Sequence, residues 1–155
     1  MNAEKYLEEI CRPNFKEFSD DPTSLRRAWS ATAALYHFVD YLADQHGMNV
    51  SLVKKKIMVV FPRLGALRDV TNAFKHCEVE LGSSSRLGLR AEHSLIGKGA
   101  AFSDGTYFSD GTSFAEVPEV IRVEFNGEFI DLLWLCREVL DLWDKHVSGE
   151  QVLLS

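Results

Sequence analysis

The side chains whose types and spacing best suit chemistry fall on two stretches of the chain. One is HFVD, where His37 and Asp40 stand three residues apart, near enough on a helix for the carboxylate to orient the imidazole. The other is LGALRDVTNAFKHCEVEL, from Leu64 to Leu81, where Asp69, Asn72 and His76 recur at steps of three and four. A helix stacks those three on one face, with Arg68 and Lys75 flanking them. A cation beside an imidazole suits a phosphate oxygen and a proton shuttled near neutral pH. If the two stretches lie side by side, two imidazoles and two carboxylates converge as a general acid–base or metal-binding group. The bland reading of the same residues is a hydrogen-bonded polar seam that sets helix register. No metal or cofactor is expected: no HExxH or ExxH spacing is present, and Arg68 and Lys75 put positive charge beside the cluster.

Several helices must hold these groups. From Leu64 onward, Leu67, Val70, Thr71, Phe74, Cys77 and Leu81 form an apolar stripe of helical period. His37 and Asp40 belong to the longest predicted helix, which Asp21 and Pro22 open and Gly47 closes after His46. Its expected core stripe is Leu25, Ala28, Trp29, Thr32, Leu35, Tyr36, Val39, Leu42 and Ala43. A first helix over residues 2–11 turns Tyr6, Leu7 and Ile10 inward and is interrupted by Pro13. Asn49 caps a segment through Phe61, on which Lys54, Lys55 and Lys56 read as a solvated side.

After Leu81 the periodicity stops. Residues 82–99 are rich in Gly and Ser and read as a mobile connection. Over 100–126 the repeat FSDGTY-FSDGTS-F and the alternating VIRVEF, followed by Asn126-Gly127, predict a small antiparallel β-meander. Asp104 and Asp110 lack the spacing of a calcium loop, so turn chemistry accounts for the Asp-Gly pairs. Residues 128–147 then return to helix, with Phe129, Leu132, Leu133, Cys136, Val139, Leu140, Trp143 and Val147 on one face. The expected fold is mainly α: a single domain over 1–155, a bundle of four to five helices with the β-meander inserted before the last helix.

A chain of 155 residues, 46% hydrophobic and 26% charged, has enough apolar material for one real core. A net charge of −6 and a pI of about 5.3 disfavour a generally basic nucleic-acid platform. The N-terminal MNAEKYLEEICR is acidic and has no apolar segment of a secretory leader. No apolar run approaches the roughly 20 residues of a membrane span. Cys11, Cys77 and Cys136 are far apart and in no CxxC spacing, which points to free thiols in a reducing cytoplasm.

The arrangement LRDVTNAFKH resembles HEPN-type helical-bundle proteins, in which an Arg, an adjoining polar residue and a later His form a metal-independent RNA-cutting site. Arg68, Asp69 and His76 are the matching positions, with seven residues between the Arg and the His. The resemblance implies that Arg68 steadies a phosphate and that His76 acts in acid–base transfer. His37, Asp40, Asn72 and Lys75 would then contribute to binding. More locally, an HxxD helix followed by an RDxxNAxKH helix is similar to uncharacterised bacterial helical proteins, a resemblance that implies no activity. Two functions are therefore carried forward. One is a non-catalytic interaction or accessory module, of bacterial and defence-related type, working with a protein partner or a second copy of the chain. The other is a HEPN-like RNA-binding protein or ribonuclease.

Overall fold

Polar side chains that accept free backbone N–H groups decide where the helices of this chain begin. The computed structural model describes residues 1–76, 95–98, 119–150 and 153–154. Asn2 opens α1 (Ala3–Tyr6) by accepting from the Lys5 N–H at 2.9 Å. The helix does not stop at Pro13. It passes through a π-helical turn, Leu7–Cys11, straight into α2 (Arg12–Asp20). Within that wider turn the Arg12 N–H reaches back to the Leu7 carbonyl, so the register shifts just before the proline that cannot donate. The interruption expected at Pro13 is corrected accordingly.

The longest helix, α3, runs Leu25–Gln45, and its cap is Ser24 rather than Asp21, with the Ser24 hydroxyl accepting from the Arg27 N–H at 3.4 Å. Gly47 follows its end at φ +60°, where Met48 N–H bonds the Ala43 carbonyl at 2.8 Å and closes the last turn. Asn49 caps α4 (Val50–Val60), accepting from the N–H groups of Ser51 and Leu52. After a turn at Pro62, α5 runs Leu64–His76. The expected continuation of α5 to Leu81 and the FSDGT repeat from Phe102 to Phe114 lie outside the described residues.

Three antiparallel strands precede the last helix: β1 (Leu95–Lys98), β2 (Glu119–Phe125) and β3 (Glu128–Asp131), in that spatial order. Phe125 pairs with Glu128 across Asn126-Gly127, whose φ values of +53° and +82° make the two-residue turn that suits strand twist. Two expectations change here. Leu95–Lys98, read as part of a mobile connection, pairs with Glu119–Arg122, and residues 128–131, read as helix, extend the hairpin. Helix α6 therefore begins only at Leu132, with Asp131 accepting from the Trp134 N–H at 3.0 Å, and ends at Val147.

Helix α3 is the centre of the bundle, touching α1, α2, α4, α5 and α6. That position explains a buried face wider than one stripe. Ala31, Ala34 and Phe38 are buried in addition to the expected Ala28, Thr32, Leu35, Tyr36, Val39, Leu42 and Ala43. Leu25 and Trp29, expected in the core, are instead 45% and 44% exposed, while Ala28 between them is fully buried, so the buried face of α3 runs to one side of both. Trp143 of α6 is fully buried, 5.0 Å from the Phe38 ring, and donates its indole N–H to the Leu35 carbonyl at 3.0 Å. Phe129, assigned to a helical core face by the sequence pattern, is 59% exposed on β3. Among the described residues, no helix is long and apolar enough to cross a membrane.

Candidate functional site

Local helical spacing builds the first polar group directly. One turn of α3 brings His37 Nδ1 to 2.7 Å from Asp40 Oδ2. A carboxylate only accepts, so Nδ1 carries the hydrogen and the second ring nitrogen is left outward. The other Asp40 oxygen meets Lys54 Nζ of α4 at 2.8 Å in an ion pair. Lys54 also lies 4.4 Å over the Tyr36 ring. The first member of the lysine run is thus drawn into the α3–α4 seam with its side chain only 20% exposed, and not left on the solvated side as expected. Burial by itself would raise the Asp40 pKa, but the hydrogen bond from His37 and the pairing with Lys54 outweigh it and hold the carboxyl below its ordinary range.

The second group is on α5. Arg68 turns its guanidinium onto its neighbour Asp69, with Nε 2.7 Å and the terminal nitrogen 2.6 Å from the same carboxylate oxygen. Both side chains are mostly covered, at 24% and 14% exposure. Asn72 is half-buried on the same helix. The backbone places Lys75 and His76 in the last turn of α5, and their side chains lie outside the described part of the structure.

Helices α3 and α5 are in contact, as the sequence reading required. Yet no hydrogen bond or ion pair among the described residues links His37 or Asp40 to Arg68 or Asp69. Asp40 finds its cation on α4, and Asp69 finds its own within α5. Among the described residues, no group of three or more His, Cys, Asp or Glu side chains is placed to hold a metal ion.

A cavity of about 390 Å³ opens beside the first group, lined by Tyr6, His37, Asp40, Tyr41 and Asp44. Four of these come from successive turns of α3. The fifth, Tyr6, ends α1 where the π-turn begins, and its ring stacks on Tyr41 at 4.0 Å with an interplanar angle of 21°. Burial raises the Tyr6 pKa well above that of an ordinary phenol, with the nearby Cys11, Tyr41 and Asp40 adding to the effect, so its hydroxyl stays protonated. Sequence reasoning missed Tyr6, Tyr41 and Lys54. Tyr41 could have been placed beside His37 and Asp40 by helical spacing alone, as Asp44 is. Tyr6 and Lys54 arrive from other helices, and nothing in their own stretches announces it.

Compared with known proteins, the chain matches no protein-family model, no curated protein and no solved structure.

Proposed function

We propose that this protein is a non-catalytic interaction module, an accessory protein of bacterial type in which the polar residues of α3 and α5 fix helix register. The observation that carries this reading is the closed Arg68–Asp69 pair. To grip a phosphate, Arg68 would first have to give up two charge-assisted contacts to a largely covered carboxylate. A hydrogen bond to a charged group is worth about 1.5–3 kcal/mol net, a cost set against any phosphate contact. The buried free thiols of Cys11 and Cys136 suit action in a reducing cytoplasm. The partner is a protein, either a different chain or a second copy of this one.

The second reading, a HEPN-like metal-independent ribonuclease or RNA-binding protein, rests on the resemblance of Arg68, Asp69 and His76 to that family's site. One experiment separates the two. Purified protein is incubated with single-stranded RNA in EDTA, alongside Arg68→Ala and His76→Ala. The interaction reading expects no cleavage above the buffer blank, and a lowered melting temperature for Arg68→Ala because Asp69 is left covered and unpaired. Cleavage that both substitutions abolish, with melting unchanged, would establish the ribonuclease instead.

A further inference from the structure

The cavity between α1 and α3 is built in a way that no register-fixing role explains. Tyr6 is only 9% exposed as a residue, its hydroxyl has no hydrogen-bond partner among the described residues, and it lines the space. Its ring is covered while its hydroxyl reaches the cavity, where a ligand or water can meet it. Its ring is covered by Tyr41, so the two stacked phenols form one wall. Along the other side, Asp40 and Asp44 are four residues apart on α3, a like-charge spacing that destabilises a helix unless a cation intervenes. Lys54 supplies that cation for Asp40 alone. Among the described residues Asp44 has no ion pair, so the cavity presents one exposed carboxylate beside two aromatic rings and a phenol hydroxyl able to accept.

From this arrangement we infer that the Tyr6–Tyr41–Asp44 cavity binds a basic side chain, the ammonium of Lys or the guanidinium of Arg, presented by a protein partner. The inference rests on the interaction-module reading and names the chemistry of its partner. A cation beside aromatic rings gains from their quadrupole, and a carboxylate within reach adds a charge-assisted contact. The volume of about 390 Å³ falls within the range of specific ligand pockets and leaves room for an alkyl stem as well as its charged head. A protein of net charge −6 also favours encounter with a cationic partner. His37 keeps its Nδ1–H on Asp40, so that hydrogen is not offered to Asp44.

The test is an NMR titration of the full-length protein with a peptide of alternating Lys and Ser. The same peptide with every lysine acetylated serves as one control, and putrescine as the other. The lysine peptide should shift the amide signals of His37, Tyr41 and Asp44, and the acetylated peptide should not. Asp44→Asn, an exposed substitution that leaves the core untouched, should weaken binding about fivefold or more, and Tyr41→Leu should do so independently. Equal shifts with the acetylated peptide, shifts confined to other surfaces, or unchanged affinity in Asp44→Asn would each overturn the inference. Putrescine binding as tightly as the peptide would overturn the assignment to a partner's side chain. These failures differ from failure of the interaction reading itself, which shows as RNA cleavage lost in Arg68→Ala and His76→Ala.

Discussion

Truncating Trp143 to Ala should destabilise the protein more than any substitution in the polar groups. The indole is fully buried, rests 5.0 Å from the Phe38 ring, and donates at 3.0 Å to the Leu35 carbonyl. Removing a buried Trp side chain costs about 3–5 kcal/mol, of which the hydrogen bond accounts for about 1 kcal/mol. Against a total stability of roughly 5–15 kcal/mol for a domain of ordinary size, that is a large fraction. At about 2–4 °C per kcal/mol for a chain of this length, the melting temperature should fall by roughly 6–20 °C. Trp143→Phe keeps an aromatic ring against Phe38 and loses the hydrogen bond and part of the volume, so it should cost about 1–2 kcal/mol. Trp29→Ala is the internal control: with 44% of the residue exposed, it should cost less than about 1 kcal/mol. Urea unfolding followed by far-UV circular dichroism measures all three, provided the slope with urea stays constant. A cost below about 1 kcal/mol for Trp143→Ala, or a Trp29→Ala as damaging as Trp143→Ala, would refute the assignment of the core.

Two further outcomes follow from burial and backbone geometry. Burial, with the nearby Asp144 charge adding to it, raises the Cys11 thiol from 9.0 to about 12, and burial followed by the Asp131 charge raises that of Cys136 still further. Both should resist iodoacetamide at pH 8 until the protein unfolds, as read by peptide mapping, and rapid native alkylation of either would count against their burial. Because the folded Cys11 pKa is the higher one, the stability it contributes is complete below the unfolded value of 9.0 and is lost as the pH climbs toward about 12. At the β2–β3 turn, Gly127→Ala places a side chain at φ +82° and should lower stability by about 1 kcal/mol or more. An unchanged melting temperature for that variant would mean the turn is not held in this form.

What could be read from the sequence was whatever depends on neighbours within a turn or two. The Gly47 and Asn49 caps, the Asn126-Gly127 reversal and the 3.6-residue stripe of α6 from Leu132 to Trp143 are all local and present, whereas Val147, expected on the same face, is exposed in the last turn. The start of α3 was misplaced because Asp21-Pro22 and Ser24 both carry start signals, and only packing chooses between them. Residues 128–131 had apolar positions that fitted the helix that follows, yet pairing with β2 satisfied their backbone groups first. Asp131, an acid immediately before an apolar helical run, was the available sign of the later start. The exposure of Leu25 and Trp29 depends on which side of α3 its neighbours cover, which no local period records.

The polar residues divide along the same line. His37 and Asp40 were legible as a pair because one helical turn joins them. Arg68 and Asp69, adjacent in sequence, diverge on a helical wheel, and only the length of the arginine stem lets them close. Three further pairs cross between elements: Lys54 to Asp40, Arg63 to Glu138 at 2.8 Å and Arg12 to Asp144 at 3.1 Å. In each of these pairs a cation at a helix seam is already closed by a carboxylate. A phosphate ligand would therefore compete with an existing acid at every one of them. Which charges pair across the helix seams is therefore settled only by folding, a property that neither net charge nor helical spacing reveals.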